Sequence, residues 1–85
     1  MIKEYYPRGV CSRMIHIELE DGIIKDVSFY GGCNGNLKGI CELIRGQKAS
    51  DVIAKLKGIQ CGYKNTSCPD QLSKALEEAL EEENK

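Results

Sequence analysis

The feature that most constrains the fold is a run of alternating residues that begins a short way into the chain. The apolar residues of this run are Ile15, Ile17 and Leu19, with histidine or glutamate between and after them. A period of two is typical of a β-strand with one buried face, so the sequence predicts a strand here. Asp21-Gly22 follows directly, and a second strand is predicted over about Ile23 to Tyr30.

The register of this hairpin depends on the length of its loop. A two-residue turn would place Ile17 opposite Asp26 and would mix apolar and polar residues on one face. We therefore predict a three-residue loop, Glu20 to Gly22, with a left-handed glycine and a G1 bulge. Because an isolated hairpin is marginally stable, a third strand from residues 2–6 or a partner's hairpin is expected to extend it.

Helical spacing replaces the alternation in the second half of the chain. A first short helix is predicted from about Leu37 to Gly46, and a second is predicted to begin near Ser50, as its N-cap, and to stop at Gly58. A third helix is predicted to start at Pro69 with Cys68 as its N-cap. Its apolar stripe consists of Leu72, Ala75, Leu76, Ala79 and Leu80.

These elements predict the α+β class. The expected architecture is a small antiparallel β-hairpin or three-stranded sheet followed by three helices packed on one face. The third helix ends in consecutive glutamates, which the negative end of a helix dipole disfavours. We therefore expect an acidic tail, residues 81–85, that frays.

A chain of 85 residues is expected to form one domain, residues 1–85, without room for a deep catalytic cleft. Leu, Ile, Val and Phe supply 20 of the 85 residues, enough to expect folding. Domains this small are marginally stable unless a metal, disulfides, a ligand or a partner contributes. The five cysteines are candidates for that contribution.

Charge and segment composition restrict the function classes. With 12 basic and 13 acidic residues the net charge is −1, so we do not expect nucleic acid as a partner. The start of the chain lacks the pattern of a secretory signal, and no apolar run has the length of a membrane span. We therefore expect a cytoplasmic, soluble protein whose cysteines ligate metal, react as thiols or simply pack.

The cysteines divide into one core residue and four site candidates. Cys41 falls on the apolar face of the first predicted helix, so it is predicted to belong to the core. The other four, Cys11, Cys33, Cys61 and Cys68, fall beside glycine, serine or proline at turns and at the starts of elements. Functional residues favour such settings, so these four are the predicted site.

Three interpretations of the four cysteines remain open. Four thiolates suit a tetrahedral zinc ion, which would also stabilise a small chain. No CxxC knuckle is present, however, and six residues separate Cys61 from Cys68. A thiol-redox pair and four packed cysteines without chemistry are the alternatives.

A glycine-rich segment suggests a further site. Its candidate residues for binding the phosphate of a nucleotide or cofactor are Gly31, Gly32, Asn34, Gly35 and Asn36. Glycines let backbone amides approach an anion, and the segment leads into a helix N-terminus. The segment matches neither the P-loop nor GxGxxG, and Gly31-Gly32 is equally explained as the end of a strand.

The four cysteine-containing segments resemble the TSCPD-domain family. They are Gly9-Val10-Cys11-Ser12, Gly31-Gly32-Cys33-Asn34-Gly35-Asn36, Gly58-Ile59-Gln60-Cys61 and Thr66-Ser67-Cys68-Pro69-Asp70-Gln71-Leu72. A similar domain ends adenosylcobalamin-dependent ribonucleotide reductases, with its segments in the same order. The resemblance implies one shared role for Cys11, Cys33, Cys61 and Cys68, and an accessory module associated with ribonucleotide reduction.

The resemblance does not imply a complete enzyme. The reductase barrel cannot fit in 85 residues, and the sequence contains no complete catalytic constellation. Ribonucleoside-diphosphate reductase activity of the thioredoxin-disulfide type would follow only by family association, with this chain as a thiol-redox component. We also expect a homodimer, or a protein partner bound through the sheet edge.

Overall fold

The computed structural model describes residues 1–31, 34–60, 62–63 and 65–84, with Asn34 described by its backbone alone. Its elements are β1 (Ile2–Tyr5), β2 (Met14–Glu20), β3 (Ile23–Tyr30), α1 (Asn34–Ile44), α2 (Ala49–Leu56) and α3 (Cys68–Glu83). The α+β architecture of three strands followed by three helices is therefore confirmed.

The strands form an antiparallel sheet in the order β1-β2-β3. The predicted third strand at residues 2–6 is β1, which pairs Lys3 with Ile17 and Tyr5 with Ile15. The charged end of Met1 reinforces this pairing, because its ammonium group donates a 2.7 Å hydrogen bond to the carbonyl of Leu19. The chain thus supplies its own third strand, as an isolated hairpin requires.

The prediction of a three-residue loop in the β2–β3 hairpin is wrong. The turn is Asp21-Gly22, and both residues have the positive φ of a type I′ turn, 52° and 77°. A bulge in β3 corrects the mismatch expected from a two-residue turn. Glu18 pairs with Asp26 but Leu19 pairs with Ile24, so β3 has one extra residue opposite this step of β2. As a result Ile17 faces Val27, and apolar residues share one face.

The helices lie on one face of this sheet. α1 packs on β3, α3 packs on β2 and β1, and α2 packs against α3. The core is apolar and consists of Ile15, Ile17, Leu19, Ile24, Val27, Cys41, Ile44, Ala49, Val52, Leu72, Ala75, Leu76 and Ala79. The alternating strand and the helical stripe predicted from the sequence are thus the two sides of one core.

Two predicted helix starts are wrong. α2 begins at Ala49, and Ser50 lies inside it; the N-cap position is held by Lys48, which makes no side-chain cap. Backbone bonding to the sheet explains this start, because the amide of Ala49 donates to the carbonyl of Gly22 at 2.8 Å. α1 begins three residues before Leu37, at Asn34.

The far end of α3 reaches the hairpin. Its last residue, Glu83, accepts a 2.8 Å hydrogen bond from the amide of Gly22, and Glu78 and Glu82 form ion pairs with Lys3 on β1. α3 therefore runs the length of the sheet. Fraying of residues 81–85 stays a prediction.

Candidate cysteine site

The site is built around the first turn of α3, where Ser67 is the N-cap. Its Oγ accepts a 3.1 Å hydrogen bond from the amide of Asp70 and donates a 2.6 Å bond to the carbonyl of Ile59. The prediction that Cys68 is the N-cap is therefore wrong by one residue. Cys68 is the first residue of the helix, followed by Pro69, and its thiol is not used in capping.

Asp70 fixes the loop that precedes this turn. Its Oδ1 accepts a 2.7 Å hydrogen bond from the amide of Gly58, and its Oδ2 accepts one from the hydroxyl of Thr66. The Thr66 hydroxyl and the Gly58 amide hold the pKa of this buried carboxyl below its usual value, because both bonds favour the charged form. The carboxylate thus holds residues 58 and 66 against the helix.

Gln71 extends the same arrangement to the segment before β2. Its Nε2 donates a 3.0 Å hydrogen bond to the hydroxyl of Thr66, and its Oε1 accepts a 3.1 Å bond from the amide of Arg8. The hydroxyl of Tyr5 approaches the same oxygen at 3.5 Å. Four residues of the segment from Thr66 to Leu72 therefore have structural roles: Thr66, Ser67, Asp70 and Gln71.

Cys68 meets the segment that contains Cys11. Its Sγ lies 3.0 Å from the hydroxyl of Ser12, which is buried, whereas Cys11 itself is exposed. Gly9 belongs to the same segment, and a Cβ added there would lie 3.3 Å from the methyl group of Thr66. The structure therefore brings together the segments of Cys11 and Cys68.

The segment that contains Cys33 begins beside the same loop. The amide of Arg13 donates a 2.7 Å hydrogen bond to the carbonyl of Tyr30 at the end of β3. Gly31 follows with φ +81°, and a Cβ added there would lie 3.1 Å from Cγ of Arg13. This close approach and the positive φ together require glycine. Gly32 and Cys33 themselves lie outside the described residues.

The segment that contains Cys61 is tied to the same turn of α3. The carbonyl of Ile59 accepts the hydrogen bond from Ser67, and the amide of Gly58 donates the one to Asp70. Ile59 and Gly58 lie two and three residues before Cys61. Cys61 itself also lies outside the described residues. Three contacts therefore link described neighbours of all four site cysteines: Ser12 to Cys68, Arg13 to Gly31, and Ser67 to Ile59.

Cys41 is separate from this region. Its side chain is 6% exposed and belongs to the core, as predicted. Burial raises the pKa of the Cys41 thiol, because desolvation disfavours the thiolate. It is therefore an apolar packing residue rather than a site thiol.

The predicted phosphate segment overlaps the start of α1. Gly31 lies before the helix, whereas Gly35 and Asn36 are exposed in its first turn. The backbone of Asn34 begins the helix, and Gly32 lies outside the described residues.

The surroundings of the site differ in charge from the rest of the chain. No aspartate or glutamate occurs in residues 5–17, 27–41 or 52–69. Arg8 and Arg13 are exposed there, and neither forms an ion pair with another residue described by the structure. The net charge of −1 therefore hides a local basic character.

Within the described residues, no three His, Cys, Asp or Glu side chains lie together as ligands for a metal ion. Of the four predicted ligands, that part of the chain includes Cys11 and Cys68. Thiols at the junction of several loops are the donor type that zinc prefers.

The polar residues around Cys68 were missed in the sequence. Ser67 and Asp70 are spaced as S-x-x-D, which is an N-terminal capping pattern and could have located the cap. In the structure the amide of Asp70 bonds to the cap residue, whereas its carboxylate bonds to Gly58 and Thr66. Ser12 had no comparable signal, since only the fold brings it to Cys68.

Comparison with protein families gives one result. Residues 1–80 match the TSCPD domain, a span that includes all four segments described above. The chain belongs to the TSCPD-domain family. No characterised protein and no solved structure gave a significant match. In the described part of this TSCPD domain, no helix has the length and apolar character needed to cross a membrane.

Proposed function

We propose that this TSCPD domain is an accessory binding module that holds a metal ion, zinc by donor type, through Cys11, Cys33, Cys61 and Cys68. The observation that supports the proposal is a set of contacts between described neighbours of the four cysteines: Ser12 with Cys68 and Ile59 with Ser67 at the first turn of α3, and Gly31 with Arg13 beside Ser12. Zinc would join loops that are otherwise linked by hydrogen bonds, and so would supply stability that a chain of this size lacks.

The residues present suit such an ion. Cys11 is exposed and Cys68 is half-buried, so both residues are accessible to solvent. When bound, zinc would neutralise the thiolates and fix the relative positions of the loops. The resemblance to reductase C-terminal domains favours ribonucleotide reduction as the associated process, with this chain as an accessory rather than the catalytic unit.

Elemental analysis of protein purified without chelator, combined with thiol counting, tests this proposal. We expect one zinc per chain, lost in Cys68→Ser and Cys11→Ser. The matched control is Cys41→Ala, which removes a core thiol and should keep the metal. Metal-free wild-type protein would overturn the proposal, and a thiol pair that cycles reversibly with thioredoxin would then support the redox alternative.

A second candidate is the binding of a nucleotide or cofactor phosphate by the segment from Gly31 to Asn36. The specific observation in its favour is Arg13, an exposed basic residue whose backbone and aliphatic stem lie beside Gly31. The helix that begins at Asn34 adds the positive end of its dipole. An anion there would meet no neighbouring carboxylate in residues 27–41.

Mass spectrometry of unheated protein under native conditions tests this candidate. We expect a copurified phosphate-bearing ligand whose occupancy falls in Arg13→Ala and in Asn36→Ala. Arg45→Ala is the matched control, because Arg45 directly follows the C-terminal end of α1 and forms ion pairs with Asp26 and Glu42. Ligand-free protein, or equal loss in the control, would argue against this site.

A further inference from the structure

Ser12 is an unusual residue in its segment. It lies between exposed Cys11 and exposed Arg13, yet it is only 3% exposed itself. A buried hydroxyl requires a hydrogen-bond partner, and the structure provides the Sγ of Cys68 at 3.0 Å. The position of Ser12 is fixed because the next amide, of Arg13, is bonded to the carbonyl of Tyr30.

Either atom of the neutral pair can donate this hydrogen bond, but metal ligation would give the bond a direction. A hydroxyl is a better donor than a thiol, and sulfur accepts more strongly when it is a thiolate. When Cys68 ligates a metal as a thiolate, the Ser12 hydroxyl is therefore the donor and the sulfur is the acceptor. Thiolate sulfur has further lone pairs, so this bond leaves Cys68 able to act as a ligand.

We infer that Ser12 is a positioning residue for the metal site, holding the Cys68 thiolate and slowing its release from the ion. The inference rests on the proposed function. Hydrogen bonds to ligating atoms orient them and tune the metal, and their loss typically weakens metal binding by about 10- to 100-fold. Ser12 thereby couples the segment of Cys11 to the ligand at the start of α3.

The test compares zinc-loaded wild type, Ser12→Ala and Ser73→Ala. Ser73 is an equally buried serine on α3, but its hydroxyl donates to the carbonyl of Asp70 at 2.6 Å and not to a thiol. Competition with a chromophoric chelator measures zinc affinity. We expect a loss of about 10-fold or more in Ser12→Ala, no change in Ser73→Ala and recovery in Ser12→Thr.

A second readout separates positioning from general stability. Mass spectrometry after pulses of N-ethylmaleimide gives the alkylation rate of each cysteine. Cys41 is 6% exposed and belongs to the core, so its alkylation is the internal reference for opening of the core. We expect Ser12→Ala to accelerate the alkylation of Cys68 without accelerating that of Cys41. A purely structural role for Ser12 would accelerate both.

The outcomes distinguish the two proposals. Zinc-free wild-type protein overturns the proposed function, and this inference with it. Zinc-bound wild type together with unchanged zinc affinity and Cys68 reactivity in Ser12→Ala overturns the inference alone. If circular dichroism shows that Ser12→Ala is unfolded, Ser12→Gly replaces it, because it removes the same hydroxyl. Its zinc affinity and its cysteine alkylation rates are then measured in the same way.

Discussion

The middle and the first turn of α3 are adjacent in sequence but are stabilised by different interactions. In the middle, Leu72 and Leu76 are fully buried against the sheet. In the first turn the buried side chains are polar, and Ser67 and Asp70 bond to loop backbone. Apolar packing is tolerant of exact partner geometry, whereas each hydrogen bond fixes one loop at one position.

This difference explains the composition of the motif. Its polar side chains are used to hold loops, and these bonds leave the thiol of Cys68 directed to Ser12. A loop junction fixed by hydrogen bonds can place ligands from distant parts of the chain without a large core. The polar side chains of Thr66, Ser67, Asp70 and Gln71 therefore form the structural support around Cys68.

The largest expected effect comes from the apolar side of the comparison. Leu76→Ala should lower the free energy of unfolding by about 2–5 kcal/mol, because it opens a cavity in a small core. Urea denaturation measures this loss. The control Leu43→Ala removes a leucine that is 77% exposed and should change stability by less than about 0.5 kcal/mol. Equal losses would contradict the placement of α3 on the sheet.

A substitution in the polar first turn of α3 should cost less stability, and its effect should be local. Asp70→Ala removes the acceptor of the Gly58 amide and should cost about 1–3 kcal/mol. Hydrogen exchange should accelerate at Gly58 more than at amides of β2, because the loop opens without the core. Uniform acceleration throughout the sheet would show that the turn and the core unfold as one unit.

The same carboxylate makes a pH prediction. Its folded pKa is lowered by Thr66 and Gly58, and unfolding removes both donors. Its stabilisation is therefore complete above the unfolded pKa of about 3.9, and declines as the pH falls through that value toward the folded pKa. Wild type should lose more stability on acidification than Asp70→Asn. Asp51→Asn, a change at an exposed carboxyl, should keep the wild-type pH profile.

Periodicity predicted the parts of the fold that depend on burial. The alternation around Ile15 and Ile17 and the stripe through Leu72 and Leu76 were sufficient to predict the two sides of the core. The core position of Cys41 followed from the same spacing. These features depend on which face of an element is apolar, and the sequence contains that information directly.

The details that failed depend on tertiary contacts. The hairpin turn is shorter than predicted because a bulge in β3 restores the register, and either solution satisfies the same alternation. α2 starts before Ser50 because its first amide bonds to Gly22, a residue distant in sequence. The Ser12–Cys68 contact joins residues 56 positions apart, and no local pattern predicts such a pair.

The smallest expected effect separates Ser67, the observed N-cap of α3, from Ser50, which the sequence predicted as the N-cap of α2. Ser67→Ala should cost about 0.5–2 kcal/mol, because it removes the acceptor for the Asp70 amide at the N-terminus of α3. Ser50→Ala should change stability by less than about 0.5 kcal/mol, because Ser50 lies exposed inside α2 and caps nothing. Thermal and urea unfolding measure both variants. A larger loss of stability in Ser50→Ala would indicate that Ser50 caps α2, as the sequence predicted. A larger loss in Ser67→Ala is the expected result, because Ser67 in the first turn of α3 both caps that helix and bonds to the loop at Ile59.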